Sequence, residues 1–353
     1  MHGFQNKLVF ILRLFRWQEW VFTKFMFNLS LIMAFVLFHD MQPQKIITPA
    51  LLYLLYMVPA GAFAYLFNDI SDIHFDRKAD KQNLSDRIKK PYKAVLLCFL
   101  LLIAGLPALF VDRYAGIYLL LLGGQVACFV LYSSPRIRFK VNIFGLFCDA
   151  LFSFVLPGLI GLLLVAQSFP VYFDFDTSLL MLILWLFFTG LRGILSHQIK
   201  DLAADRISGQ STFVRNAGLK PSLILRNSVV VVELGLFILL VLLMTPDIQY
   251  AILAGLAVFF LFEIFFQNSV NTRTLINPQN LSLFNVFYNY YLFFGFCFIF
   301  LMQGGIGFSA LLCIFVVCRF YQWWRYRLID IKTGLKWLYY KVIGLFRRIG
   351  KII

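Results

Sequence analysis

The sequence predicts an all-α protein that crosses the membrane several times as a transmembrane helical bundle. Two observations support this fold class. Apolar residues make up 61% of the 353 positions and charged residues only 14%, which lies far outside the range of soluble domains. In addition, about ten segments are long and apolar enough to cross a hydrocarbon core of ~30 Å. Because a helix satisfies its own backbone hydrogen bonds in lipid, these segments are expected to be packed helices.

The predicted spans follow one another along nearly the whole chain and leave no room for a soluble domain. They cover residues 20–38, 46–67, 94–111, 114–132, 143–166, 178–199, 223–245, 248–267, 284–302 and 306–323. The longest polar stretch, 68–93, lies between the second and third spans and is predicted to be a loop.

The distribution of basic residues predicts the orientation. If the N-terminus is cytoplasmic, the loops after spans 2, 4, 6 and 8 are cytoplasmic too. Lys and Arg cluster in three of these loops: Arg77, Lys78, Lys81, Arg87, Lys89, Lys90 and Lys93; Arg136, Arg138 and Lys140; and Lys200, Arg206, Arg215 and Lys220. This is the positive-inside pattern of an integral membrane protein, in the inner membrane if the cell is bacterial. The same pattern accounts for the net charge of +15 without nucleic acid as a partner.

The C-terminal part, 304–353, combines an additional span with a basic tail. The tail interleaves Lys and Arg with aromatic and aliphatic residues, from Lys332 to Lys351. Such a pattern is typical of an amphipathic helix that lies on anionic membrane lipid.

Two clusters of aspartate stand directly after long apolar runs in a chain that is otherwise poor in acid. The first acidic motif is Asn68, Asp69, Asp72 and Asp76, and the second, which begins 132 residues after Asp69, is Asp201 and Asp205. In a helix, the aspartates of the first motif, together with Asp80, would lie on one face, where their charges repel. Mg²⁺ relieves such repulsion and binds one or two carboxylates plus phosphate oxygens.

One acidic loop alone would more often be a solvated surface. Two such loops at equivalent helix ends, each interleaved with bases, favour a Mg²⁺ site that faces a polyanionic substrate. A Ca²⁺ site is disfavoured because the first motif lacks the twelve-residue loop that contains Gly and ends in Glu. Zinc is disfavoured because His74 and His197 have no Cys or His at ligand spacing. The equivalent positions after spans 2 and 6 also suggest an old duplication.

The segment from Tyr132 to Lys140 joins spans 4 and 5 on the same side of the membrane. It offers a phenol, two hydroxyls and the cations Arg136, Arg138 and Lys140. Arginine can contact phosphate through two hydrogen bonds, while lysine supplies a compact charge. A plain anchoring loop is the alternative, but beside two metal half-sites this segment is predicted to bind phosphate. Lys200, next to Asp201, is a further candidate for substrate binding.

Two ionisable residues lie inside predicted spans, where such groups are usually paired or functional. Asp149 is in span 5, and Arg192 is ~13 Å deeper than Asp201 along span 6. We hypothesise that one of them contacts the acceptor of the reaction, or that the two pair with each other. At the N-terminus, Arg13, Arg16 and Lys24 are interpreted as anchors at the membrane surface.

Three motifs in this order resemble the UbiA superfamily of intramembrane prenyltransferases. They are Asn-Asp-x-x-Asp-x-x-x-Asp from Asn68, Tyr-Ser-Ser-Pro-x-x-Arg-x-Lys from Tyr132, and Asp-x-x-x-Asp-x-x-x-Gly from Asp201. The resemblance implies nine helices around a central cavity in a domain spanning 1–303, with 304–353 as an addition. It also implies that Asp69, Asp72, Asp76, Asp201 and Asp205 hold Mg²⁺ with help from Asn68. Lys140, Arg138 and Tyr132 would contact the diphosphate or the reacting end of the prenyl chain.

The expected reaction is transfer of a prenyl group from an isoprenyl diphosphate to a hydrophobic acceptor, here an aromatic or quinone precursor. A glycerol-phosphate lipid or a sugar phosphate remains an alternative acceptor. A terpene cyclase on the same scaffold is a second enzyme class. A transporter or channel is the non-enzyme alternative, but it would place acids near the bilayer midplane rather than at the cytoplasmic boundary.

Overall fold

The computed structural model describes residues 10–17, 24, 26–38, 43–78, 80, 82–168 and 177–246, together with 249, 252–253, 256–257 and 296. The chain divides into two compact units, Met1–Gln249 and Tyr250–Ile353. The description below concerns the first unit. The structure describes only a few single residues of the predicted spans 248–267 and 284–302. The span 306–323, the basic tail and the expected domain boundary after residue 303 lie outside the described residues.

From Met26 to Leu242, the described part of the first unit contains nine α-helices, with short 3₁₀ turns between some of them. They are α1 (Met26–Phe38), α2 (Ile47–Lys78), α3 (Lys90–Gly105), α4 (Ala115–Ser133), α5 (Ile143–Ala150), α6 (Leu156–Ser168), α7 (Thr177–Ser208), α8 (Phe213–Ala217) and α9 (Leu219–Leu242). A single π turn, Leu151–Val155, connects α5 to α6 without interrupting the segment.

Six segments of the described chain are long and apolar enough to cross a membrane. They are Ile47–Lys78, Lys90–Phe110, Asp112–Ser133, Ile143–Gln167, Thr177–Ser208 and Leu219–Leu242. These segments confirm the all-α transmembrane fold class and the second to seventh predicted spans. No strand occurs among the described residues.

The α5–α6 segment is the centre of this unit. In its most apolar window 83% of residues are buried, compared with 17% in the α3 segment, whose side chains mostly face outward. α5 packs against α7, and α6 packs against α1, α2 and α4. α7 in turn packs against α9. The two helices that carry the acidic motifs, α2 and α7, also contact each other.

Two glycines permit the close approaches on which the site depends. A Cβ at Gly190 of α7 would lie 2.5 Å from the Cα of Ala150, so only glycine allows α7 to pass this close to the end of α5. A Cβ at Gly145 of α5 would collide with the backbone of Phe139 and Lys140. The turn that carries Lys140 therefore packs directly against α5.

The stretch 68–93 is not the continuous loop that was predicted. α2 continues through Lys78, so the first acidic motif lies on its last turns, and α7 likewise continues through Ser208. Both helices therefore extend beyond the apolar part of their span, because backbone hydrogen bonding does not end where hydrophobicity ends. Asp80 lies past the end of α2 with φ at 52°, so the prediction that it shares the face of the first motif is wrong.

Candidate active site

Both cations of the turn between α4 and α5 contact the Asp72 carboxylate of the first motif. Lys140 donates to both of its oxygens at 2.6 Å, and Arg138 Nη2 lies 3.5 Å from Oδ1. Asp72 and Lys140 are 5% and 2% exposed, so this charge pair is nearly dry. Burial lowers the pKa of the Lys140 ammonium, and the Asp72 carboxylate opposes that shift.

The turn between α4 and α5 presents these two cations. Arg138 has φ at 49°, and its guanidinium lies 4.0 Å from the centroid of the Phe75 ring on α2. The following residues form one turn of 3₁₀ helix, Phe139–Val141. Asn142 then caps α5 by accepting a hydrogen bond from the Phe144 N–H at 3.0 Å. The cap and Gly145 together hold Lys140 against Asp72 of α2.

The other two acids of the first motif have partners from different segments. Arg16 Nη1 lies 3.3 Å from Asp69 Oδ1, so the N-terminal segment reaches the site. Asn83 Nδ2 donates to Asp76 Oδ2 at 2.8 Å and to the Asp69 carbonyl at 2.7 Å. The loop after α2 therefore folds back onto the acidic turns.

The second motif lies on the last two turns of α7. Thr212 donates to Asp205 Oδ2 at 3.0 Å, and both residues are 5% exposed. Arg215 binds the Asp205 carbonyl at 3.2 Å. Asp201 is half-exposed and lies 3.5 Å from His197 Nε2 on the same helix.

The two acidic motifs meet at one place. Gln210, just after the second motif, has its Nε2 at 3.4 Å from Asp72 Oδ2 in the first motif. Lys140 lies within electrostatic range of both Asp72 and Asp205. Carboxylates from both long helices and the cations of the α4–α5 turn therefore share one polar site at the same end of the bundle.

Of the remaining residues predicted for this site, Asn68 and Tyr132 lie at the acidic motifs, whereas Arg136 and Lys200 do not contact the acids of the described chain. Asn68 accepts a hydrogen bond from Ser133 at 3.0 Å, which ties α2 to the end of α4. Tyr132 faces Gln198 and lies near Asp149, Asp72 and Asp205. Arg136 and Lys200 are exposed, and within the described chain no hydrogen bond or ion pair joins them to the acids.

The hypothesis that Arg192 pairs with Asp149 is not supported. Arg192 Nε instead lies 2.6 Å from Glu233 Oε2 on α9, with both side chains almost fully buried. Thr189 donates to the other Glu233 oxygen at 3.1 Å. The cause is the helix phase: Arg192 points from α7 toward α9. Asp149 lies on the side of α5 that approaches Tyr132 and His197.

Sequence reasoning did not predict that Arg16, Asn83, Gln210 and Thr212 contact the acidic motifs. Arg16 was interpreted as a membrane anchor because it precedes the first span. The other three lie in loops after the acidic helices, where polar residues are common. The only signal for these three in the sequence is their position a few residues past the end of an acidic helix. That position indicates a contact with the acids only once the loops are seen to fold back.

No group of three or more acidic, histidine or cysteine side chains that could hold a metal ion occurs among the described residues. In this structure the acids are instead held by cations and neutral donors. The donor chemistry is that of hard oxygen ligands, namely five carboxylates and the Asn68 amide oxygen, which is the type of ligand that Mg²⁺ prefers.

Comparison with known proteins identifies the family of this chain. Residues 25–276 match the UbiA prenyltransferase family. No curated protein sequence matches the chain. The fold is similar to that of a UbiA homolog from Archaeoglobus fulgidus bound to GPP and Mg²⁺, with a TM-score of 0.58, 18% identity, and coverage of 81% of this chain and 99% of that one.

Two further solved structures are similar to this chain. The Archaeoglobus fulgidus homolog bound to DMAPP and Mg²⁺ has a TM-score of 0.58 and 17% identity, with 81% of this chain and 98% of that one covered. A digeranylgeranylglyceryl phosphate synthase has a TM-score of 0.54 and 18% identity, with 82% and 97% covered. At these identities the structures show the shared fold, and the family match spans most of the chain. The chain therefore belongs to the UbiA prenyltransferase family and is a prenyltransferase.

Proposed function

We propose that this protein transfers a prenyl group from an isoprenyl diphosphate to an acceptor inside the membrane, with Mg²⁺, and releases diphosphate. The observation that carries the proposal is the meeting of both acidic motifs with Lys140 and Arg138 in one site. Carboxylates that bind metal and cations that bind phosphate are the two components that a diphosphate leaving group requires.

The metal-binding residues in this proposal are Asn68, Asp69, Asp72, Asp76, Asp201 and Asp205. Each Mg²⁺ usually takes one or two protein carboxylates and completes its octahedron with water and phosphate oxygens. Two acidic motifs on separate helices suit such partial sites, which the diphosphate would complete. When bound, Mg²⁺ would stabilise the negative charge that develops on the departing diphosphate.

The basic residues have distinct proposed roles. Lys140 and Arg138 lie among the acids and are proposed to contact the diphosphate once metal neutralises Asp72. The exposed Arg136 and Lys200 are proposed to attract the diphosphate from the cytoplasm, to which the positive-inside pattern assigns this end of the bundle.

The chemistry follows from the loss of diphosphate. The allylic C–O bond breaks, diphosphate takes the electron pair, and the acceptor forms the new bond to carbon and releases a proton. Tyr132 lies 5.5 Å from Phe152, and Phe152 lies 4.1 Å from Phe129, measured between ring centroids. These rings form an apolar wall beside the acids, and a ring face stabilises a cation by ~0.5–2 kcal/mol.

The proposed acceptor is an aromatic or quinone precursor, as the family resemblance leads us to expect. Asp149, close to Tyr132 and His197, is proposed to contact it. Arg192 is not assigned this role because Glu233 binds it. The similarity to a digeranylgeranylglyceryl phosphate synthase makes a glycerol-phosphate lipid the specific alternative.

The test uses purified protein in lipid nanodiscs with Mg²⁺, prenyl diphosphates of graded length and a panel of acceptors, followed by mass spectrometry. The panel contains aromatic acids, quinone precursors, a glycerol-phosphate lipid and sugar phosphates. We expect a prenylated aromatic product and release of one diphosphate per product. A cyclic hydrocarbon or alcohol formed without acceptor would instead identify a terpene cyclase. Absence of diphosphate release with every substrate would reject the proposal.

A further inference from the structure

The two acidic helices end in the same local structure. The last aspartate of each motif, Asp76 on α2 and Asp205 on α7, lies in the final turn of its helix. Four residues later the backbone has a positive φ, 52° at Asp80 and 76° at Gly209. A left-handed residue just past a helix end redirects the chain, and aspartate and glycine are among the residues that tolerate it. Both loops therefore fold back over the last turn.

Seven residues after each of these aspartates, a neutral side chain donates a hydrogen bond to it. Asn83 Nδ2 donates to Asp76 at 2.8 Å, and Thr212 Oγ1 donates to Asp205 at 3.0 Å. Each bond engages one carboxylate oxygen. Because an ionised carboxylate has about four acceptor positions, the bond orients the group and leaves capacity for a metal ion.

The two loops present their donors in different ways. Asn83 Oδ1 accepts the Ser85 N–H at 3.0 Å and so caps the short helix Leu84–Arg87, while its Nδ2 also binds the Asp69 carbonyl. Thr212 occupies the N-cap position of α8 but makes no side-chain capping bond there. A threonine at this position usually bonds to its own helix, whereas here the hydroxyl is directed to Asp205.

We propose that Asn83 and Thr212 are matched positioning residues that orient Asp76 and Asp205 as ligands of a divalent cation, one in each half of the site. The identity of the cation as Mg²⁺ rests on the proposed function. A neutral donor suits this task because it fixes the carboxylate and leaves its negative charge for the metal. Lys140, in contrast, places its own positive charge at Asp72. Groups that hold a metal ligand in place typically change metal affinity or activity by about 10- to 100-fold when removed.

The experiment measures Mn²⁺ binding, as a probe for Mg²⁺, to the full chain in detergent with inorganic pyrophosphate present, from the electron paramagnetic resonance signal of free Mn²⁺. Thr212→Val removes the hydroxyl but keeps the side-chain shape, and Thr212→Ser restores it. Asn83→Ser keeps a capping oxygen but is too short to reach Asp76. We expect Thr212→Val and Asn83→Ser each to raise the Mn²⁺ Kd by about 10- to 100-fold. Thr212→Ser should stay within about threefold of the wild type because it retains the donor.

Two control variants lie in the same loops. Ser211→Ala removes a bond to Asn216, and Asp86→Asn weakens the pair with Arg77, and neither residue contacts the acids. Both should bind Mn²⁺ like the wild type. The inference is overturned if Thr212→Val and Asn83→Ser bind Mn²⁺ as tightly as the wild type, if the controls lose as much affinity, or if the wild type binds no Mn²⁺. Asn83→Thr, which also keeps a capping oxygen, replaces Asn83→Ser if that variant does not fold.

Prenyl transfer is measured separately, so that the two failures can be distinguished. A wild type that binds Mn²⁺, variants that bind it weakly and no transfer with any substrate would support the positioning role and reject the proposed function. If the wild type transfers the prenyl group normally and both variants bind Mn²⁺ as tightly as the wild type, the positioning role alone is rejected.

Discussion

Lys140 and Asp72 are 68 residues apart in the sequence, yet the Lys140 ammonium lies 2.6 Å from both carboxylate oxygens of Asp72. Both side chains are buried. In a buried pair the loss of one partner leaves the other charge uncompensated, which is strongly unfavourable. We infer that Lys140 holds the Asp72 carboxylate in place before metal and diphosphate bind.

Lys140→Met should lower kcat for prenyl transfer by about 100-fold or more, because it removes a buried cation from the place where leaving-group charge develops. Steady-state kinetics at saturating prenyl diphosphate would measure this, with thermal unfolding as a check on folding. Lys78→Met is the matched control, since Lys78 is exposed at the end of α2 and has no assigned role. A folded Lys140→Met enzyme with the kcat of the wild type would contradict the assignment.

Asp69→Asn and Asp201→Asn should each abolish turnover, because a neutral amide is a much poorer Mg²⁺ ligand than a carboxylate. Removal of metal with EDTA should have the same effect on the wild type, and added Mg²⁺ should restore activity. Diphosphate release assays would measure both. Asp112→Asn serves as the control because Asp112 begins the α4 segment, far along the chain from both motifs. Activity that resists EDTA would remove the metal assignment.

Breaking the pair between Arg192 and Glu233 should destabilise the bundle. Both side chains are almost fully buried, so Arg192→Met or Glu233→Gln alone is expected to cost on the order of 3–5 kcal/mol. Joint replacement by Met and Leu should recover much of this loss, because no buried charge is then left alone. Thermal unfolding in detergent micelles would measure the effect. Single variants that unfold at the temperature of the wild type would show that the pair contributes little.

Gly190→Ala should destabilise the contact between α7 and α5, since the new methyl group would lie 2.5 Å from the Ala150 Cα. Overpacking of this kind typically costs about 1–3 kcal/mol. Gly235→Ala in α9 is the control, because no atom lies within 4 Å of its added Cβ. That variant should be neutral or stabilised by about 0.4–1 kcal/mol. Equal unfolding temperatures for the two variants would contradict the close packing at Gly190.

The sequence predicted the second to seventh spans well because hydrophobicity over about twenty residues is a local property. It predicted the ends of α2 and α7 poorly. The predicted spans ended at 67 and 199, where apolar residues end, but the helices continue to Lys78 and Ser208. The acidic motifs are therefore rigid helical turns, and this rigidity is what sets the spacing between their carboxylates.

The partners of the charged residues could not be predicted in the same way. Arg192 is separated from Asp149 by 43 positions and from Glu233 by 41, so separation along the chain does not distinguish the two acids as partners. Only the rotation of α7 about its axis decides that Arg192 faces α9. Arg16 is a similar case, since its contact with Asp69 depends on the path of the N-terminal segment.

The amino-acid sequence alone determined the membrane class, the order of the two acidic motifs and the segment of bases between them, because these depend on composition and spacing along the chain. The tertiary structure decided which donor faces each carboxylate and that the two motifs share one site. Hydrogen bonds and ion pairs act over about 3 Å. Residues as far apart in the sequence as Arg16 and Thr212 come that close to the aspartates only after the helices pack.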